Sequence, residues 1–258
     1  LHEFGADGEF LSTISLGTGK KNKYGTFGLL ETLSGDLVAS YCDRTGDGPA
    51  GETDIGVAKR VRRDGTLVWH RELQVGSAST RAGEVVAVGG GRLAVLGVDY
   101  GDAGPREWLW FLDDEGSPVR EVSTGVSADE STTLGLFPRG LARVVDGGLV
   151  THGNCGLVAA DGLGYDSAYV RRYDAWGNLL WHREFAWAPV SEEWTWFTDV
   201  ATRDDGGLDL AGGLLITGAE SGGQVSQRHL LIRTDAWGRT CGMRLGLCEN
   251  KTLQDCDD

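Results

Sequence analysis

The chain has 258 residues, long enough for one or two domains and a sizeable core. Its 24 Lys and Arg against 38 Asp and Glu leave a formal net charge of -14, which excludes nucleic acid and anionic membrane surfaces as electrostatically favoured partners. Glycine is abundant, at 41 residues, and proline scarce, at 5, a balance that suits many short strands joined by tight turns and excludes a proline-rich linker.

The first predicted element is a hairpin, LHEFGADGEFLSTISL at 1–16, with its turn ending at Gly8. Lys20, Lys21 and Lys23 follow as the one basic cluster and read as a solvated linker. Four units of four strands are then predicted, at about 26–75, 83–124, 139–186 and 197–246. Each opens with a glycine hairpin: LLETLSGDLVAS, EVVAVGGGRLAVLG, LARVVDGGLVTHG and DDGGLDLAGGLLITG. Each continues with a second turn, RRDG at Gly65, DDEG at Gly116 and DAWG at Gly177 and again at Gly238. Asp113, Asp174 and Asp235 stand three residues before their glycines, the signature of a type I turn in which Asp caps and Gly rejoins the strand.

The strands after these turns alternate with a period of two. In TLVWHREL (66–73) and NLLWHREF (178–185), Leu67, Trp69 and Leu73 match Leu179, Trp181 and Phe185 on one face. His70 and Glu72 match His182 and Glu184 on the other. The second unit, DDEGSPVREV, lacks this tryptophan. Arg60, Arg172 and Arg233 share one position, where pairing with an acid on the adjacent unit is expected. No stretch of ten or more residues carries a helical apolar period.

These patterns predict an all-β chain, a β-propeller of four-stranded antiparallel blades spanning 1–246, with a Cys- and Asp-rich tail at 247–258. It has four complete blades plus an N-terminal half-blade, or five blades if the ring closes. The half-blade leaves an unpaired sheet edge, so self-association through the 1–16 hairpin is expected. The chain begins at Leu1 and its single methionine is Met243, which predicts a trimmed or partial product.

Gly147–Gly153, Asp174–Phe185, Gly212–Gly218 and Asp235–Gly238 together resemble the propeller repeats of secreted or surface bacterial proteins, which run as a GG strand, a D-x-x-G hairpin and a Trp strand. The tail CGMRLGLCENKTLQDCDD resembles the Cys-rich segments that follow such propellers. The resemblance implies a secreted or cell-surface location and brings no catalytic residues with it. Of the five cysteines, Cys241 and Cys248 are the expected disulfide, with Cys256 left over and Cys42 and Cys155 unassigned. Five reduced thiols in a cytosolic protein is the alternative.

No G-x-S-x-G, H-E-x-x-H or P-loop is present. The leading functional reading is therefore a non-enzymatic extracellular module that presents loops to a protein or glycan at the cell surface, with no cofactor and no membrane span. The second is a carbohydrate-binding, lectin-like propeller, for which Trp187, Glu192, Glu193, Trp194 and Trp196 form the candidate surface. The third is a five-bladed glycoside hydrolase using Glu192, Glu193 and Asp199. Acidic loops carry a weak calcium signal at Asp43, Asp47, Glu52 and Asp54, with solvated carboxylates as the plainer reading.

Overall fold

The computed structural model describes residues 2–4, 6–7, 9–13, 27–45, 53–76, 79–101, 104–124, 133–158, 164–185, 193–216 and 226–246. Those residues form strands and turns. Strands β1 (His2–Phe4) and β2 (Phe10–Thr13) pair antiparallel. Four antiparallel sheets follow, each built from strands consecutive in sequence. Sheet one holds β3 (Phe27–Glu31), β4 (Leu37–Thr45), β5 (Thr53–Val61) and β6 (Leu67–Leu73). Sheet two holds β7 (Ser79–Val88), β8 (Arg92–Gly101), β9 (Gly104–Leu112) and β10 (Pro118–Thr124). Sheet three holds β11 (Thr133–Arg143), β12 (Leu149–Val158), β13 (Gly164–Tyr173) and β14 (Leu179–Phe185). Sheet four holds β15 (Glu193–Thr202), β16 (Leu208–Ile216), β17 (Ser226–Thr234) and β18 (Thr240–Gly246). One parallel bridge, Asp166 to Trp194, links sheets three and four.

The turns form for the reason their sequence dictates. At Asp174 the carboxylate accepts the backbone N–H of Trp176 (2.8 Å) and of Asn178 (2.9 Å), and Gly177 closes the turn with positive φ. Asp235 does the same for Trp237 (2.9 Å) and Arg239 (2.8 Å) ahead of Gly238. A short polar side chain that satisfies two amides makes the reversal local and independent of distant contacts.

The chain divides into two compact units, Leu1–Tyr100 with Leu109–Glu121, and Gly101–Trp108 with Val122–Asp258. Within the first, Trp69 of β6 is 8% exposed and its Nε1 donates to the Asp114 carbonyl at 3.0 Å. Its ring lies on Gly116, where a Cβ would fall 2.5 Å from Cδ2. Arg71 adds a bond from Nε to the Gly116 carbonyl (2.7 Å). The indole therefore fastens β6 to the β9–β10 turn, and its burial contributes about 3 kcal/mol.

The second unit repeats the device. Trp181 of β14 donates from Nε1 to the Ala236 carbonyl (3.1 Å), and a Cβ on Gly238 would meet its ring at 2.8 Å. Behind this contact Val144, Val150, Ala168 and Val170 of sheet three pack on Phe197, Val200, Leu208, Leu210, Leu230 and Ile232 of sheet four. Phe185 meets Phe197 edge to face at 5.3 Å.

Of the three matched arginines, Arg60 makes the expected pairing with the adjacent sheet, and Arg172 and Arg233 pair within their own. Arg172 binds Asp146, and Arg233 binds Asp209 (3.0 Å), each an acid of its own sheet. Arg60 binds its own sheet's Asp36 (2.9 Å) and also reaches Asp114 (2.6 Å) in sheet two. A guanidinium near the end of the third strand lies one strand from the second strand and first turn of its own sheet, so acids there are within its reach.

Candidate functional site

The densest chemistry among the described residues lies in the second unit, on the face of sheet three opposite its apolar core. Register places Leu149 beside Tyr173, Thr151 beside Arg171 and Gly153 beside Tyr169. Cross-strand partners share a face, so Thr151, Tyr169, Arg171 and Tyr173 project together. They converge on Glu107, which is completely buried. Its Oε2 accepts the Tyr169 hydroxyl at 2.6 Å, and its Oε1 accepts Tyr173 at 2.7 Å and Thr151 at 3.0 Å. Arg171 stands 3.9 Å away as counter-charge. Three hydroxyl donors and one cation make this a compensated buried carboxylate.

The network continues outward. Arg171 Nε donates to His182 Nδ1 at 2.8 Å, and His182 Nε2 meets Glu184 Oε1 at 3.0 Å. Because Nδ1 accepts, the proton sits on Nε2, which donates a hydrogen bond to the Glu184 carboxylate. That bond holds the Glu184 carboxyl below the usual range. Tyr169 stacks on the His182 ring at 6.1 Å between centroids. Burial, then the Glu107 charge, pushes the Tyr169 phenol well above its ordinary pKa. Burial works against the Arg171 cation, but Glu107 outweighs it and raises the pKa.

This cluster departs from the pattern of the other sheets. Counted back from the turn glycine, the positions of Tyr169, Arg171 and Tyr173 hold Val57, Lys59 and Val61 in sheet one, Trp108, Trp110 and Leu112 in sheet two, and Leu230, Ile232 and Thr234 in sheet four. Alternation along Ser167–Tyr173 puts Tyr169 and Tyr173 on one face. Nothing local marked Glu107 as their partner, since it is 62 residues from Tyr169. The substitution of Tyr-x-Arg-x-Tyr for mostly apolar residues was the available signal.

On the other face of sheet three, His152 is 2% exposed. Its ring occupies the space that a Cβ at Gly140 would fill. Desolvation lowers its pKa to about 4, against the opposing charges of Asp199 and Glu107 and a hydrogen bond to the Phe197 backbone. A register shift between Phe197 and Asp199 marks a bulge in β15, and that bulge sets Asp199 on the exposed surface. Its Oδ1 accepts the Val200 N–H at 2.8 Å.

The other sequence candidates are dispersed. Trp187 and Glu192 lie outside the described residues, and Glu193 and Trp194 begin β15 with their side chains outside them. Trp196 is half-buried and lies on Gly213 of the neighbouring strand. Glu193 and Asp199 are six residues apart on one strand, about 20 Å, which is too far for a pair of carboxylates flanking one glycosidic bond. Of the calcium candidates, Asp47 and Glu52 lie outside the described residues. Asp54 is buried and accepts Arg81 Nε at 2.8 Å, while Asp43 is half-buried on the opposite face of the sheet. Among the described residues no group of three or more His, Cys, Asp or Glu is placed to hold a metal ion. Cys42 and Cys155 are buried thiols, Cys155 lying 2.7 Å from the Ser167 hydroxyl. The side chain of Cys241 and all of Cys248 and Cys256 lie outside the described residues. No helix among the described residues is long and apolar enough to cross a membrane.

No family model and no curated protein matches the sequence. Among solved structures the chain is similar to "Hadza microbial sialidase Hz136", with a TM-score of 0.53 and 18% identity over 89% of this chain and 48% of that one. The chain thus spans about half the length of that structure. The likeness supports a propeller-like fold built from four-stranded antiparallel sheets. That neighbour is a sialidase, which goes against the expectation of a non-enzymatic module and points instead to the glycoside-hydrolase alternative.

Proposed function

We propose that this chain supplies propeller sheets to a glycoside hydrolase acting on sialylated glycans at or outside the cell surface. The observation that supports the reading is the likeness to a sialidase across 89% of the chain. Propeller sheets stand around a central channel, and the first strand of each sheet lies nearest to it. On this reading β15 contributes Asp199, an exposed carboxylate on a bulged first strand, as the acid–base group. Bulges re-aim side chains at functional sites, and the hydrogen bond from Val200 N–H fixes the direction of this one.

Sialidases attack through a tyrosine. Tyr169 beside Glu107 has the composition of such a pair but the opposite tuning. It is completely buried, and its phenol is held protonated by burial and by the adjacent carboxylate. A nucleophile needs access and a lowered pKa. The Glu107 cluster is therefore assigned to the scaffold.

The test is release of fluorophore from a fluorogenic sialoside. Turnover by the wild-type chain and its loss of at least 100-fold in Asp199→Asn support the reading. Tyr169→Phe is expected to lose stability and keep kcat. Turnover unaffected by Asp199→Asn, or abolished by Tyr169→Phe in folded protein, overturns the assignment of roles.

A further inference from the structure

Two bulged first strands are held from the preceding sheet in the same way. In the first unit, β7 shifts register between Ala82 and Val85, and the Ser40 hydroxyl of β4 donates to the carbonyl of Gly83 inside that bulge. Ser40 stands opposite Gly28 of β3, where a Cβ would collide with its Oγ. In the second unit, β15 shifts register between Phe197 and Asp199, and His152 of β12 bonds the Phe197 backbone. His152 stands opposite Gly140 of β11, where a Cβ would collide with its Nε2. Ser40 and His152 each lie five residues past a turn glycine, Gly35 and Gly147. Each case joins a polar donor on a second strand, a first-strand glycine that makes room for it, and a carbonyl at the bulge of the next sheet.

Register brings His152 to that bulge. Its cross-strand partner Val170 and its same-face neighbour Val150 both pack in one core with Phe197. Its Nδ1 has no partner among the described residues, so Nε2 carries the proton and donates to the Phe197 carbonyl. A bulge takes backbone groups out of the ladder, and each then needs another partner. Thr198 Oγ1 donates to the Ala211 carbonyl (3.2 Å), and His152 serves that of Phe197. On either side of the bulge β15 is tied to sheet three, at Trp194 by its bridge to Asp166 and at Thr202, whose hydroxyl donates to the Arg143 carbonyl (3.2 Å). His152 holds the strand between those ties, two residues before Asp199, whose carboxylate accepts the Val200 N–H (2.8 Å).

We propose that His152 is a positioning residue for Asp199: its bond to the Phe197 carbonyl fixes the β15 bulge and with it the direction of the carboxylate. His152 touches no substrate and transfers no proton. The catalytic consequence rests on the proposed role of Asp199, whereas the geometric claim is read without any turnover.

The experiment compares His152→Leu, which fills space but cannot donate, with His152→Gln, whose amide can. The first readout is hydrogen exchange of the Val200 amide, which reports the Asp199 hydrogen bond whether or not a sialoside is cleaved. Exchange should quicken about tenfold in His152→Leu and return toward the wild-type rate in His152→Gln. Gly140→Ala repeats the test with the imidazole present, because the new Cβ displaces the ring; it should behave as His152→Leu does. The second readout is turnover of a fluorogenic sialoside by folded protein. His152→Leu should lower kcat about tenfold with KM unchanged, and His152→Gln should recover it. Unchanged Val200 exchange in His152→Leu and Gly140→Ala, or a glutamine variant no better than the leucine one, overturns the inference. Val200 exchange that follows His152 in a protein that cleaves no sialoside upholds the positioning of Asp199 and refutes the proposed activity.

Discussion

The Trp181 indole and Gly238 are matched as plug and socket: the ring fills the space that a Cβ at Gly238 would need, while its N–H donates to the carbonyl two residues earlier. Trp69 and Gly116 form the same contact in the first unit. The equivalent positions in sheets two and four are Arg120 and Gly242, so tryptophan fills this position only in sheets one and three.

Two glycines separate the cost of backbone strain from the cost of filling the socket. Gly65 and Gly116 both have positive φ, but a Cβ at Gly65 meets nothing within 4 Å. Gly65→Ala should cost about 1–2 kcal/mol from backbone strain alone. Gly116→Ala should cost about 1–3 kcal/mol more because it displaces Trp69. Urea unfolding of the two variants checks the difference, and equal losses would show that the socket is not tight.

The buried Glu107 cluster gives a second prediction. Glu107→Ala leaves the Arg171 cation without its carboxylate and three hydroxyls without their acceptor. Breaking a buried charge pair from one side costs about 3–5 kcal/mol. Replacing both Glu107 and Arg171 by leucine should be much less damaging than the sum of the single changes, because neither charge is then stranded. Chemical denaturation of the four members of this cycle measures the coupling.

His152 makes stability depend on pH. Its folded pKa of about 4 lies below the ordinary 6.5, so the unfolded chain binds the proton more readily. The contribution is complete above pH 6.5, falls as pH drops toward 4, and amounts to about 3 kcal/mol in total. Denaturation midpoints at pH 7 and pH 5 should therefore differ more in wild type than in His152→Gln. A difference of the same size in both would assign the acid sensitivity to other groups.

The sheets were legible because their determinants are local. Asp174 and Gly177 make their turn from their own atoms, and Leu179, Trp181 and Phe185 declare their face by alternation. The second strand pair of each unit was equally plain. The Glu107 cluster was not, because its members come from β9, β12 and β13 and meet only after the sheets pack. The pairing across sheets held for Arg60 but not for Arg172 and Arg233, for a related reason. Matching Arg60, Arg172 and Arg233 fixes where each guanidinium starts, but the acid it reaches depends on Asp36, Asp146 and Asp209, which occupy different positions in their sheets. The acid pairing along β15 could have been excluded from the strand rise alone, once Glu193 and Asp199 were placed on one strand.

The most direct test of the functional account follows sialyllactose by proton NMR in the presence of the wild-type chain and of Asp199→Asn. The asparagine keeps an oxygen for the Val200 amide, so the fold is retained and chemistry alone is removed. The account predicts steady appearance of free sialic acid with the wild type and none above background with the variant. Broadened sugar signals with no free sialic acid would instead make the protein a binder, and an unchanged spectrum would contradict any action on sialosides.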